Sequence, residues 1–176
     1  MLSEIFKLFW KTVERKDERR INSQTPPTEI EQFCDIQYID DGLWQHRLDV
    51  YSKSDKFSHR PVIIDIHGGG WMYGTKEINK NYCLVLAQND YVVVNINYRL
   101  APDFSVADQL RDCFFAFKWV STNIEKYGGD LNNVFVTGDS AGGFLAAYSA
   151  LLNSSDVYKR QYSELPKAAL SSKRVA

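Results

Sequence analysis

Two short stretches hold residue types that can carry covalent chemistry. The first is Gly138-Asp139-Ser140-Ala141-Gly142, set between the β-branched run "NVFVT" and an apolar run that begins at Ala141. A serine there stands on a sharp turn between a strand and a helix. Glycines two positions to either side remove β-carbons that so tight a turn cannot hold. The following helix starts under the serine, and its N-terminal N–H groups favour a developing anion. Alone, G-x-S-x-G is a common chance match. The second stretch strengthens it: His67-Gly68-Gly69-Gly70-Trp71 directly follows the apolar run "VIIDI". Three glycines after a buried strand let bare backbone N–H groups face a substrate oxygen that is becoming negative. A phosphate-binding loop would show G-x-G-x-x-G or a trailing Gly-Lys-Ser/Thr. Here Trp71, Met72 and Tyr73 follow instead.

A serine hydroxyl is nearly inert until a base takes its proton. The chain has three histidines, His46, His59 and His67, and none follows Ser140. His46 reads as a packing histidine on an early strand, and His59 as a solvated side chain in the polar loop "SKSDKFSHR". His67 belongs to the glycine loop itself. The acids beyond the serine are Asp156 and Glu164, and Asp156 falls at the far end of the serine's helix. The sequence therefore offers a nucleophile and anion-stabilising amides without an acid or a base to complete them.

The elements that position these stretches follow from periodicity. Ile5, Leu8, Phe9 and Val13 recur at helical spacing, predicting an amphipathic N-terminal helix that "SQTPP" ends. "DIQYI" and "LWQHRLDVY" read as two strands about the turn "DDG", with Trp44, His46, Leu48 and Val50 on one face. "VIIDI", "YVVVNI" and "NVFVT" are nearly continuous apolar runs, as expected of parallel strands covered on both faces. A helix is predicted from about Thr75 to Asn89, and another through Val106, Leu110, Phe114, Phe117, Val120 and Ile124, closed by "YGGD". Strands alternating with helices predict right-handed βαβ units.

The 176-residue length suits one domain, and a net charge of −1 gives no footprint for nucleic acid or an anionic membrane. Glu4, Lys7 and Lys11 interrupt the N-terminus, so no signal peptide is expected there, and no stretch is long enough to span a bilayer. Cys34, Cys83 and Cys113 form no metal spacing with the histidines and read as reduced packing cysteines, so a cytoplasmic location is expected.

Taken in order, "HGGGWMYGTK", "NYRLAPD", "YGGD" and "VTGDSAGGFLA" make the chain similar to the hormone-sensitive-lipase-like esterases of the α/β-hydrolase superfamily. The resemblance covers roughly residues 60–152. It implies an α/β-hydrolase fold of three layers, α/β/α, with a mostly parallel sheet. Residues 1–35 would form the helix and linker, 36–170 an incomplete core lacking its C-terminal strands, and 171–176 a tail. It implies Ser140 as the nucleophile and the N–H groups of Gly69, Gly70 and Ala141 as the oxyanion hole. His67, Gly68, Gly138, Asp139 and Gly142 support those motifs, Arg99 holds its loop, and Asp112 and Asp139 are scaffold groups. The expected substrate is a small-molecule ester, with no cofactor and no metal. Amides, formamides and acetylated sugars share the machinery. Such families place the acid and then the histidine after the serine, so this chain is expected to be the N-terminal part of a longer enzyme and to turn over poorly. The rival readings are a ligand-binding pseudoenzyme and a non-functional fragment. Without later strands, "NVFVT" should form a raw sheet edge prone to self-association.

Overall fold

The computed structural model describes residues 2–55 and 59–154, with side chains from Leu8 onward. Asp156, Glu164 and "LPKAALSS" lie outside the described residues. Among the described residues five strands form one sheet: β1 (Ile30–Gln37), β2 (Arg47–Lys53), β3 (Arg60–Ile66), β4 (Val92–Ile96) and β5 (Gly129–Gly138). Their spatial order is β1-β2-β4-β3-β5. The strand β3 pairs in parallel with both β4 and β5, whereas β2 is antiparallel to β1 and to β4. Four strands thus run one way and β2 the other. Among the described residues β5 is the last strand on its side.

Among the described residues there are four α-helices, α1 (Leu2–Asn22), α2 (Lys80–Gln88), α3 (Val106–Asn123) and α4 (Ala141–Ser154), with α2 on one face of the sheet and α3 and α4 on the other. Strand periodicity of two sorts the apolar side chains between faces. On one face Leu48, Val50, Val62, Ile64, Ile66, Val92, Val94 and Ile96 pack with Cys113, Phe117 and Val120 of α3 and Leu145 of α4. On the other, Tyr51 and Val93 pack with Cys83, Leu84 and Ala87 of α2. The result is the expected α/β/α sandwich. A capping box starts α3, with Ser105 and Asp108 each accepting the other's backbone N–H. Its far end tightens into a 3-10 turn (Ile124–Tyr127), and Gly128 at φ 83° reverses the chain into β5.

Four readings of the sequence are corrected. The first strand is not "DIQYI" but Ile30–Gln37, and Trp44–His46 is a 3-10 turn rather than strand. Leu48 and Val50 do share the α3 face, but the alternation starts only at Arg47. Thr75–Asn89 is not one helix: a 3-10 turn (Lys76–Asn79) precedes α2. Cys34 is exposed, at an irregularity between Phe33 and Ile36 in the β1–β2 ladder, while Cys83 and Cys113 are buried as read.

The reason for that 3-10 turn lies beneath it. Along the α2 face, Asp49 of β2 pairs with Asn95 of β4, Asn95 with Asp65 of β3, and Asp65 with Thr137 of β5. Four polar residues therefore form one rung across an apolar sheet, and Asp49, Asn95 and Asp65 are almost wholly buried. Buried polar groups call for partners, and the Lys76–Asn79 turn supplies most of them. Lys76 Nζ lies 2.9 Å from Asp49, Asn95 donates to Lys76 O at 2.7 Å, and Asn79 donates to Asp65 at 3.0 Å. Asn97 adds a bond from Lys76 N–H at 2.7 Å. Tyr51 also donates its hydroxyl to Asp49, at 2.6 Å.

Breaking a buried pair by removing one partner leaves a charge without compensation, at a cost of about 3–5 kcal/mol. Lys76→Met is accordingly expected to lower the unfolding free energy by about 3–5 kcal/mol in urea titration. A loss under about 1 kcal/mol would mean that solvent reaches Asp49 and the pair is a surface one.

Candidate active site

Ser140 caps the C-terminal end of β5 and is exposed, with φ 50°. That is the left-handed region, where a non-glycine residue is strained and is held only by its surroundings. The surroundings are specific. Asp139 O accepts the N–H of Gly142 at 2.8 Å and of Gly143 at 3.2 Å, and Ser140 O accepts that of Phe144 at 3.1 Å. A β-carbon on Gly142 would lie 1.9 Å from Ile66 O, and one on Gly138 would lie 2.6 Å from the Gly142 backbone. The turn is possible because the start of α4 presses directly onto the end of β3.

The same closeness joins the two motifs. Ile66 is in register with Gly138, so the glycine loop leaves β3 beside the serine turn. Asp139 Oδ1 accepts the Gly68 N–H at 2.9 Å and ties them. Gly69 has φ 123°, and a β-carbon there would meet Tyr73 O at 1.9 Å, because Gly69 O accepts the N–H groups of Met72 and Tyr73. With Gly68 occupied by Asp139, the N–H groups of Gly69, Gly70 and Ala141 donate to no acceptor among the described residues.

Beyond this, Trp71 O accepts from Ala101 N–H at 2.8 Å and from Gln109 Nε2 at 2.9 Å. Its ring meets Phe144 edge-on, with centroids 5.9 Å apart. Tyr73 stacks on Trp10 of α1 at 5.3 Å, and the Trp10 ring lies against Gly70. The N-terminal helix thus packs on the glycine loop, with Tyr73 also donating to Asp17 at 3.3 Å and Arg20 to Ile78 O at 3.1 Å. Phe104 lies under the Arg99 guanidinium.

None of the three histidines is placed as a base. His67 is fully buried, its Nδ1 donating to Gly68 O at 2.7 Å and its ring stacked on Tyr98 at 4.4 Å. Tyr98 in turn donates to His67 O at 2.8 Å. Burial pushes the imidazole's pKa down to about 4, against smaller raising effects of the Gly68 carbonyl and Asp139. It is a neutral brace for the loop. His59 is exposed just before the N-terminal end of β3, at the opposite end of the sheet from Ser140.

His46 is the buried, satisfied packing histidine that the sequence suggests, although it sits in a 3-10 turn rather than a strand. Its two ring nitrogens meet Asp41 Oδ2 at 2.7 Å and Asp112 Oδ1 at 3.2 Å. Burial alone would lower its pKa, but hydrogen bonds and charge from Asp112 and Asp41 outweigh that and raise it. Asp112 is fully buried and also takes a bidentate Arg99, with contacts of 2.7 and 2.9 Å. Arg99 and Asp112 hold the "NYRLAPD" loop, and His46 is a third member of that cluster.

Sequence reasoning missed Asp65, Asn79 and Lys76, which support the loop from below. A signal was present: "VIIDI", "YVVVNI" and "RLDVY" each carry a polar residue inside an apolar run, and such a residue needs a buried partner.

The sheet order with its elbow serine defines an α/β-hydrolase fold. Comparison with known proteins places the chain more narrowly. The BD-FAE family profile matches residues 48–175, and the chain belongs to that family. It is 37% identical over 98 residues to the versiconal hemiacetal acetate esterase of Dothistroma septosporum, covering 55% of this chain and 30% of that one. It is 34% identical over 113 residues to the carboxylesterase NlhH of Mycobacterium tuberculosis, covering 64% and 35%. Among solved structures, esterase B of Lactobacillus rhamnosis superposes with a TM-score of 0.86 at 32% identity, covering 92% of this chain and 51% of that one. The chain thus spans about half the length of that structure, and a smaller share of those relatives.

The buried imidazole has a measurable consequence. Because His67's pKa is lowered in the fold, the unfolded chain binds a proton below its ordinary value of 6.5 that the folded chain refuses until about 4. Its neutral form therefore stabilises fully above 6.5, and that contribution is lost as pH falls through the window. The stability deficit of His67→Asn against the parent should shrink by about 3 kcal/mol between pH 7 and pH 4, read from denaturant midpoints. A deficit independent of pH would mean the ring is open to water.

Proposed function

We propose that this chain carries the nucleophile and oxyanion hole of a serine-dependent carboxylic-ester hydrolase. The observation that carries the reading is Ser140, exposed in a strained turn at φ 50° whose neighbour Asp139 bonds the N–H of Gly68. Ser140 Oγ attacks the ester carbonyl as its proton passes to a base, and the C–O bond to the alcohol then breaks to leave acyl-Ser140. Water releases the acid. The N–H groups of Gly69, Gly70 and Ala141 stabilise the tetrahedral oxyanion, each lost donor costing about 3–4 kcal/mol in studied cases. The esterase names of the relatives support an ester substrate, and Trp71 and Phe144 offer an apolar wall beside the serine. Acetylated sugars, amides and formamides are alternatives within the same chemistry.

No histidine of the chain is placed to take the proton. In a measured serine protease, loss of the base costs on the order of 10⁶-fold in kcat, while the oxyanion hole and binding retain roughly 10³–10⁴ over water. The chain alone is therefore proposed to bind esters and react slowly. This also favours, as a second reading, a ligand-binding role without turnover. The outer side of β5 and the exposed Phe144 and Leu151 of α4 support self-association at that edge.

An alkyl phosphonate probe tests the nucleophile, and esterase B has been solved inhibited by a tributyrin phosphonate. The chain should acquire one phosphonyl group, on Ser140, orders of magnitude more slowly than a complete esterase, and Ser140→Ala should acquire none. Labelling of a different residue, read by peptide mass spectrometry, would overturn the reading. Saturable ester binding without any acylation would favour the binding role.

A further inference from the structure

Asn79 sits immediately before α2, where asparagine is among the most favoured capping residues, yet its side chain makes no capping bond. Its amide is engaged elsewhere. Nδ2 donates to Asp65 Oδ2 at 3.0 Å and to Asp139 Oδ1 at 3.0 Å. Asp139 Oδ1 is the same oxygen that accepts the Gly68 N–H at 2.9 Å. Both acceptors are carboxylates, so the nitrogen end of the amide must face them, and its two hydrogens match the two oxygens. Asp65 is almost wholly buried on β3. Burial, with a smaller push from Asp139 and against the Asn79 bond, raises its pKa to about 6, so at pH 7.5 it is ionised. Two carboxylates then share one neutral amide, one on each of its hydrogens.

The geometry points to Asn79 and Asp65 as positioning residues for the oxyanion loop: Asp65 holds Asn79, Asn79 holds Asp139 Oδ1, and Asp139 holds the Gly68 N–H. Neither residue lies in the serine or glycine motif. The bonds start from the polar rung of the sheet and end one residue before Gly69 on one side and one residue before Ser140 on the other. They therefore fix the loop's amides relative to the serine hydroxyl. The catalytic consequence rests on the ester-hydrolase reading, whereas the positional one does not.

Hydrogen exchange followed by mass spectrometry on the full chain at pH 7.5 separates the two. Asn79→Ser keeps a favoured capping residue, so α2 is retained, but the hydroxyl is too short to reach both carboxylates. The 67–72 segment is expected to exchange about tenfold faster in Asn79→Ser, and by less in Asp65→Asn, where an amide oxygen still accepts. Segment 92–96, inside the sheet, should be unchanged in both. No change at 67–72, or equal acceleration at 92–96, would overturn the proposal. In phosphonate labelling, Asn79→Ser should lower the maximal rate about tenfold with the half-saturating probe concentration unchanged; the reverse split would also overturn it. Absence of labelling on Ser140 in the parent chain would count against the ester-hydrolase reading alone, leaving hydrogen exchange to decide the positioning.

Discussion

The rung formed by Asp49, Asn95, Asp65 and Thr137 is the constraint on which the rest of the site depends. A sheet buried on both faces could have carried only apolar side chains, and most of this one does. Placing polar groups at one level, near the C-terminal ends of β3, β4 and β5, makes the covering segment non-negotiable. It must bring donors and acceptors, and it must bring them at that level. The Lys76–Asn79 turn does so with a buried ammonium, a backbone carbonyl, a backbone N–H and a side-chain amide. The glycine loop is then pinned at both ends, to β3 where it begins and to the rung where it finishes.

Between those pins the loop is built to present backbone. Gly68 gives its N–H to Asp139, His67 braces the loop as an uncharged ring, and Gly69 folds back onto Met72 and Tyr73. From outside, Trp10 and Tyr73 of α1 and the loop stack on each other, so the N-terminal helix and the sheet hold the same segment from opposite sides. On the proposed chemistry this matters because an oxyanion hole acts through amides fixed before the reaction starts. On that reading the serine and its amides lie together, and none of the three histidines is placed to serve them as a base.

Much of this was legible in the sequence. The apolar runs announced β3, β4 and the core of β5, the three- and four-residue spacing announced α3, and the order of "HGGGW" and "GDSAGG" announced an esterase-like fold. The errors fell where local pattern and tertiary demand part. The alternation of "LWQHRLDVY" suggested strand from its first residue, but His46 was required by Asp112 of α3, and Trp44–His46 turned to deliver it. The stretch after Thr75 read as helix, but its first residues answer to the rung rather than to helical bonding. Cys34 read as core because cysteine is so often buried, and a ladder irregularity put it outside.

What the sequence by itself determined was the set of residues that could react and the strands and helices that carry them. Residue type and spacing are local, and glycines around a serine or after a strand have few uses. What only the tertiary structure decided was which polar groups answer one another: Asp139 with Gly68 and Asn79, Asp65 with Asn79, Lys76 with Asp49, His46 with Asp112. These partners lie far apart along the chain, apart from Asp65 and Asn79, which are 14 residues apart. Their pairing follows from strand register and from the cost of burying a polar group without a partner, which no local pattern encodes.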